Sequence, residues 1–139
     1  MRVVKTFLFL LFSLTTVVYA QEYDYIREIK PCEVSIQACI EEKATQYNVS
    51  SEKLHYIIMN ESSYKPNATG DMDIICKRTG LPVRARGILQ ITECWYPNIS
   101  DECAYDVECS LDKMLPIMAD KESCVEQWTT CKWYENKRA

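Results

Sequence analysis

Apolar residues recur with a helical period over most of the chain. Ile36, Ile40 and Ala44 repeat at four-residue spacing, which places them on one face and predicts a first helix over residues 33–47. Asn48-Val49-Ser50 interrupts it. Ser50 as N-cap and Glu52 in the first turn predict a second helix from Ser51 to about Ser62, with Leu54, Ile57 and Ile58 facing inward. Pro66-Asn67 ends that pattern. Residues 69–83 lack periodicity, carry two of the three glycines and are expected to be irregular. Residues 86–92 form a compact apolar element, and residues 95–109 read as a loop rich in Asn, Asp and Pro. Two further helices are predicted over 110–121 and 123–134, the first kinked or shortened by Pro116. No strong strand pair, repeat or low-complexity run stands out. The expected fold is therefore mainly α.

The first twenty residues follow a different pattern. Arg2 and Lys5 precede an apolar run from Phe7 to Val18, and Val18-Tyr19-Ala20 ends it with a cleavage-site pattern. This is the layout of a secretory leader, and the run is shorter than the roughly 18–20 residues a spanning helix needs. Residues 1–20 are expected to be a signal peptide, and residues 21–139 a single domain with no membrane attachment once the leader is removed. The remaining 119 residues carry a net charge of −6, since only Arg2 and Lys5 leave among the charged groups.

Export changes the meaning of the cysteines. All eight (Cys32, Cys39, Cys76, Cys94, Cys103, Cys109, Cys124 and Cys131) follow the leader, and their even number reads as a disulfide framework. Zinc is disfavoured because no C-x₂-C pair occurs. A Cys-His nucleophile has only His55 to use. Eight cysteines allow 105 pairings. Cys32/Cys39 and Cys124/Cys131 are each seven apart, so within a continuous helix each pair lies roughly 10 Å apart, too far to bond. Two antiparallel helices stapled by Cys32–Cys131 and Cys39–Cys124 are expected instead, with Cys103–Cys109 and Cys76–Cys94 closing shorter segments.

Composition narrows function further. A chain of 139 residues suits one domain. Its formal charge of −4 argues against a phosphate-tracking nucleic-acid binder. Its aromatic content excludes a disordered chain, and three glycines exclude a collagen-like one. All three Phe leave with the leader, so every later aromatic ring is a Tyr or Trp with a polar handle.

One acid stands out. Leu54, Ile57, Ile58 and Glu61 sit at i, i+3, i+4 and i+7 and share a helix face. A carboxylate at the end of a buried stripe, near the negative end of the helix dipole, has its pKa raised. A Glu kept protonated near neutral pH is what a general acid requires. The plain alternative is a Glu turned to solvent at a frayed helix end.

The residues that follow supply context. Glu61-Ser62-Ser63-Tyr64-Lys65-Pro66-Asn67-Ala68, then Ala85-Arg86-Gly87-Ile88-Leu89-Gln90-Ile91, resembles the paired motifs of the lytic transglycosylase family (soluble-lytic-type, goose-lysozyme-like). The resemblance is good from Tyr47 to Thr92 and loose elsewhere. It implies a small, mostly helical lysozyme-like domain acting on peptidoglycan glycan strands. Glu61 is then the acid/base at the MurNAc-GlcNAc bond, with Ser62 beside it, Gly87 to Gln90 lining the cleft and Gln90 near the scissile sugar. Gly87 lets backbone approach a ligand, and Gln90 offers both a donor and an acceptor. Trp128 and Tyr134 are candidates for the cleft wall, with core packing as the alternative role. No cofactor and no nucleic acid is implied, and a monomer is expected.

The second acid decides the reaction. The same region resembles animal-type lysozymes, which carry an Asp two residues before the glycine, but here that residue is Ala85. Asp71 and Asp73 lie elsewhere, with no spacing argument for either. A single-acid mechanism is favoured. Attack by the sugar's own 6-hydroxyl gives an anhydro end, and attack by water a muramidase product. Two motifs of the family are absent: Asp106-Val107-Glu108-Cys109-Ser110 lacks the usual Asn, and Trp128-Thr129-Thr130-Cys131-Lys132-Trp133-Tyr134 stands where a Tyr-Asn pair is usual. A catalytically silent glycan-binding module is therefore the alternative, with a disulfide-stapled secreted factor as a third. Of four Asn-x-Ser/Thr sequons, at Asn48, Asn60, Asn67 and Asn98, the second abuts Glu61, where a glycan fits poorly with catalysis.

Overall fold

A computed structural model describes residues 29–139. The chain divides into two units, Met1–Lys30 and Pro31–Ala139. Of the first only Ile29 and Lys30 are described, and the expected signal peptide lies outside the described residues. The second unit contains helices α1 (Pro31–Val34), α2 (Ile36–Gln46) and α3 (Ser51–Ser62). Three two-residue strands follow: β1 (Thr69–Gly70), β2 (Ala85–Arg86) and β3 (Ile91–Thr92). The chain ends with α4 (Asp101–Tyr105), α5 (Val107–Ala119), α6 (Lys121–Gln127) and α7 (Thr129–Arg138). The fold is mainly α. No helix among the described residues is long and apolar enough to cross a membrane.

Capping chemistry sets most of the helix starts. Ser35, Ser50, Ser100, Asp106 and Asp120 each accept a hydrogen bond from the backbone N–H three residues on. Each satisfies a donor that the first turn otherwise leaves without a partner. Among the longer helices of the described residues, α7 alone begins without such a cap, at Trp128. The core gathers Ile40 and Ala44 of α2, Leu54, Ile57 and Ile58 of α3, and Leu111, Met114, Leu115 and Met118 of α5. Ile88, Leu89 and Ile91 pack among them. Burying each of the Ile, Leu and Met side chains contributes about 1.5–3 kcal/mol. Lys43 of α2 is also buried, paired with Asp112 at 2.8 Å and Glu108 at 3.1 Å on α5.

The predicted helix over 110–121 begins earlier, at Val107, and runs through Pro116 to Ala119. The expected loop over 95–109 contains α4. The compact apolar element is a hairpin: β2 pairs antiparallel with β3 in the register Ala85↔Thr92 and Arg86↔Ile91, and β1 adds to its other edge. The turn between β2 and β3 carries Ile88 and Leu89 into the core.

The disulfides correct one expectation. Cys76–Cys94 and Cys103–Cys109 form as expected, but the other two are Cys32–Cys39 and Cys124–Cys131, not the crossed pairs. The expectation assumed that each seven-residue spacing lies within one continuous helix. Instead Ser35 breaks the first between α1 and α2, and Trp128 the second between α6 and α7. Each break folds the chain back, bringing the Cα atoms to 4.0 Å and 5.9 Å.

Candidate active site

Helix α3 ends abruptly after Ser62. Ser63 and Tyr64 both take positive φ, and the Ser63 N–H closes the last turn on Met59 O at 3.1 Å. Glu61 is therefore held in the final turn, above the buried stripe of Leu54, Ile57 and Ile58. Its neighbour Ser62 points the other way. The buried Ser62 hydroxyl donates to Ile88 O at 2.9 Å and also reaches Ile58 O at 3.3 Å. Ser62 thus ties the end of α3 to the β2–β3 turn and lines no cleft.

Gly87 does a similar structural job. It has φ +72°, and a Cβ there meets Ala104 O of α4 at 1.9 Å. The glycine is needed for backbone to approach backbone, and it does not line the cleft. Gln90, at the other end of the turn, does line it. The Gln90 amide donates to Gly87 O at 2.8 Å and Ala68 O at 3.3 Å, so its carbonyl is the group left for a ligand. Gly70 leaves space for it, because a Cβ there comes within 2.7 Å of Gln90 Oε1. Arg86, only 1 % exposed, bonds Ile91 O, Ile99 O and Asp101 and so pins residues 96–101 against the hairpin.

The cleft itself has a volume of about 640 Å³. Glu61, Asn60, Asp71, Gln90 and Thr92 lie along it, as do Trp95, Tyr96, Gln127, Trp128, Thr130 and Trp133. All three tryptophans of the chain line this one cleft. Trp128 is buried and its indole N–H donates to Leu89 O at 3.0 Å, which locks the α6–α7 break onto the hairpin turn. Trp95 and Trp133 are 66 % and 51 % exposed at its lips. The Tyr96 hydroxyl donates to Gln127 Oε1 at 2.9 Å and joins the two sides. Tyr134 is elsewhere: it packs on Tyr56 at 5.6 Å between ring centroids and bonds Arg138.

The α6–α7 break also delivers Thr130. This residue is 5 % exposed, and its hydroxyl donates to Glu61 Oε1 at 2.6 Å. Helix α7 is held on α3 by Lys53–Glu135 at 3.1 Å, so the contact is braced from behind. The Glu61 carboxyl is pushed above its ordinary range, chiefly by burial. Thr130 works against that shift by bonding the charged form, and the negative charge of Asp71 adds to it. Asp71 was given no role by its spacing, yet it lies in the same cleft within electrostatic reach of Glu61. Ala85, where the animal-type pattern has its acid, is buried.

Thr130, Trp95 and Trp133 were not singled out in the sequence. The clustering of Trp and Thr over 128–133 was its only available signal. His55 bonds Glu41 at 2.8 Å and Tyr64 at 2.9 Å, and no described cysteine is free, so no Cys-His pair forms.

A half-buried acid at a helix end thus faces a tryptophan-lined cleft on a disulfide-stapled helical domain. A family model for the transglycosylase SLT domain matches residues 38–112, more than half of the chain, and the chain belongs to that family. The matched stretch includes Glu61, Asp71 and Gln90 and ends before Trp128. No curated protein and no solved structure gave a match.

Proposed function

We propose that the protein is an exported lytic transglycosylase that cleaves the MurNAc-GlcNAc bond of peptidoglycan, with Glu61 as its single acid/base. The observation that carries this reading is Glu61 itself, an acid whose pKa is raised by burial and which opens onto a cleft with aromatic walls. The protonated carboxyl donates its proton to the glycosidic oxygen as the C1–O bond breaks. The substrate's own acetamido oxygen bonds to C1 and holds the positive charge. Glu61, now ionised, takes the proton of the same sugar's 6-hydroxyl as that oxygen attacks C1 and displaces the acetamido group. The products are a free 4-hydroxyl and a 1,6-anhydro end, and Glu61 is again protonated. Thr130 orients the carboxyl throughout. Gln90, with its carbonyl free, accepts from a hydroxyl or amide N–H of the sugar, and Trp128 forms the floor against which it packs.

Export through the leader over residues 1–20 agrees with four disulfides, which persist in oxidising compartments. A second reading has one specific observation in its favour. Asp71 faces the cleft, and a second carboxylate able to orient water suits a hydrolytic muramidase. Turbidity of purified peptidoglycan tests both readings together. Wild type is expected to clear it between pH 4 and 8, about the range over which a raised carboxyl titrates, and Glu61→Gln to leave it unchanged. Equal clearing by both proteins removes Glu61 from the chemistry. No clearing by either leaves the silent glycan-binding module.

A further inference from the structure

Beside the cleft lies a second groove, of about 670 Å³, which the glycan reading does not use. Its walls come from the segment between β1 and β2, closed by Cys76–Cys94. Ile74, Ile75 and Val83 line it, as do Lys77 and Arg78. Ile74 and Ile75 are 54 % and 57 % exposed, which leaves apolar surface that none of the described residues covers. Arg78 donates to Cys94 O, and neither it nor Lys77 has a carboxylate partner among the described residues. The groove shares Asp71, Thr92 and Trp95 with the cleft, so the two adjoin along those residues.

We propose that this groove binds the acidic peptide side arm of the glycan strand, and so makes the protein selective for peptide-bearing over bare strands. The inference rests on the reading of the cleft as a glycan site and assigns a further subsite to it. Peptidoglycan carries on alternate sugars a short peptide of small apolar residues with free carboxylates. A strand lying in the cleft sends such an arm off its axis, and the groove adjoins the cleft at Asp71, Thr92 and Trp95. Methyl groups of the peptide meet Ile74, Ile75 and Val83, while its carboxylates meet Lys77 and Arg78. A flat apolar and basic surface also suits an anionic bilayer. The concave shape and the residues shared with the cleft favour the peptide.

Calorimetric titration tests this with three probes: the GlcNAc-MurNAc disaccharide carrying an Ala-Glu-diamino acid-Ala peptide, the same disaccharide without it, and the free peptide. Wild type is expected to bind the peptide-bearing sugar about tenfold more tightly than the bare one, as one partly exposed charge pair and one apolar contact provide. The double variant Ile74→Asp, Lys77→Glu, whose residues touch only the groove, abolishes that difference and leaves affinity for the bare disaccharide unchanged. Equal affinities in wild type overturn the proposal, and so does a variant that weakens both sugars alike. Binding of the peptide probes but not of the bare disaccharide keeps the groove and sinks the glycan reading. Binding of none sinks both. If the variant loses only sedimentation with phosphatidylglycerol vesicles and keeps its peptide preference, the surface is a lipid contact and the proposal fails.

Discussion

One side of the cleft is assembled from nearby sequence. Glu61 and the β2–β3 turn are tied together by the Ser62–Ile88 bond across 26 residues, and both fall inside the stretch that matches the family. The other side, Trp128 to Trp133, reaches Glu61 from 69 residues away and lies beyond that match. The first side is fixed by backbone: two positive-φ residues after α3, a glycine pressed on a carbonyl and a buried arginine. The second hangs on a helix break that has no side-chain cap and is held by Cys124–Cys131 and the Trp128 indole instead. The acid is thus supplied by one side and its orientation by the other. The motif can place a carboxylate without specifying what aims it.

The largest way to break this contrast is Gly87→Ala. With φ +72° and Ala104 O at 1.9 Å from the added Cβ, it is expected to cost about 3 kcal/mol or more, overpacking added to left-handed strain. Chemical denaturation measures it, and a loss under 1 kcal/mol shows that the turn and α4 separate easily.

Next come the two disulfides of equal spacing. Replacing either pair by serine is expected to cost about 2–3 kcal/mol, because each closes a loop of similar length. Only loss of Cys124–Cys131 frees Thr130, so it alone is expected to lower turnover at a temperature where both variants remain folded. Equal turnover in the two means that the break at Trp128 stands without its staple.

Trp128→Phe keeps an aromatic ring, though a smaller one, and removes the bond to Leu89 O. A loss of about 1 kcal/mol in thermal unfolding is expected, with Leu89 O left buried and without that donor.

Smallest are two opposed shifts in the pH profile. A general acid works while protonated, so activity falls as pH rises through its pKa. Thr130→Val removes a bond to the charged form and moves that falling limb to higher pH, whereas Asp71→Asn removes a like charge and moves it lower. Movement in the same direction by both variants contradicts the electrostatic arrangement.

Much of the first side was legible because its signals are local. The stripe from Leu54 to Glu61, the Ser50 cap and the order of the two motifs each act within a few residues. Yet two motif residues, Ser62 and Gly87, turn out to hold backbone in place rather than line the cleft. A motif gives identity and spacing but not the direction a side chain takes. The second side was poorly legible for a related reason. A helical period over 123–134 continues smoothly through Trp128, and nothing local announces a break whose cause is a tertiary bond to Leu89 O. The mistaken disulfide pairs follow from that same missed break. Asp71 was passed over because its place in the cleft depends on how the β1–β2 segment folds back, which no spacing rule captures.

Burial of Glu61 also has a consequence for stability. A carboxyl whose pKa is raised in the folded state binds its proton more readily there, so its favourable contribution is complete below the ordinary carboxyl range and is lost as pH rises through the folded value. Glu61→Gln is therefore expected to raise the melting temperature at pH 7 and to change it little below about pH 4. The most direct measurement is mass spectrometry of soluble fragments released from peptidoglycan by wild type and by this folded variant. Release of fragments ending in 1,6-anhydro sugars by wild type alone is the predicted result. Release of the same fragments by Glu61→Gln, or none by wild type, would contradict the assignment of Glu61 as the acid of the cleft.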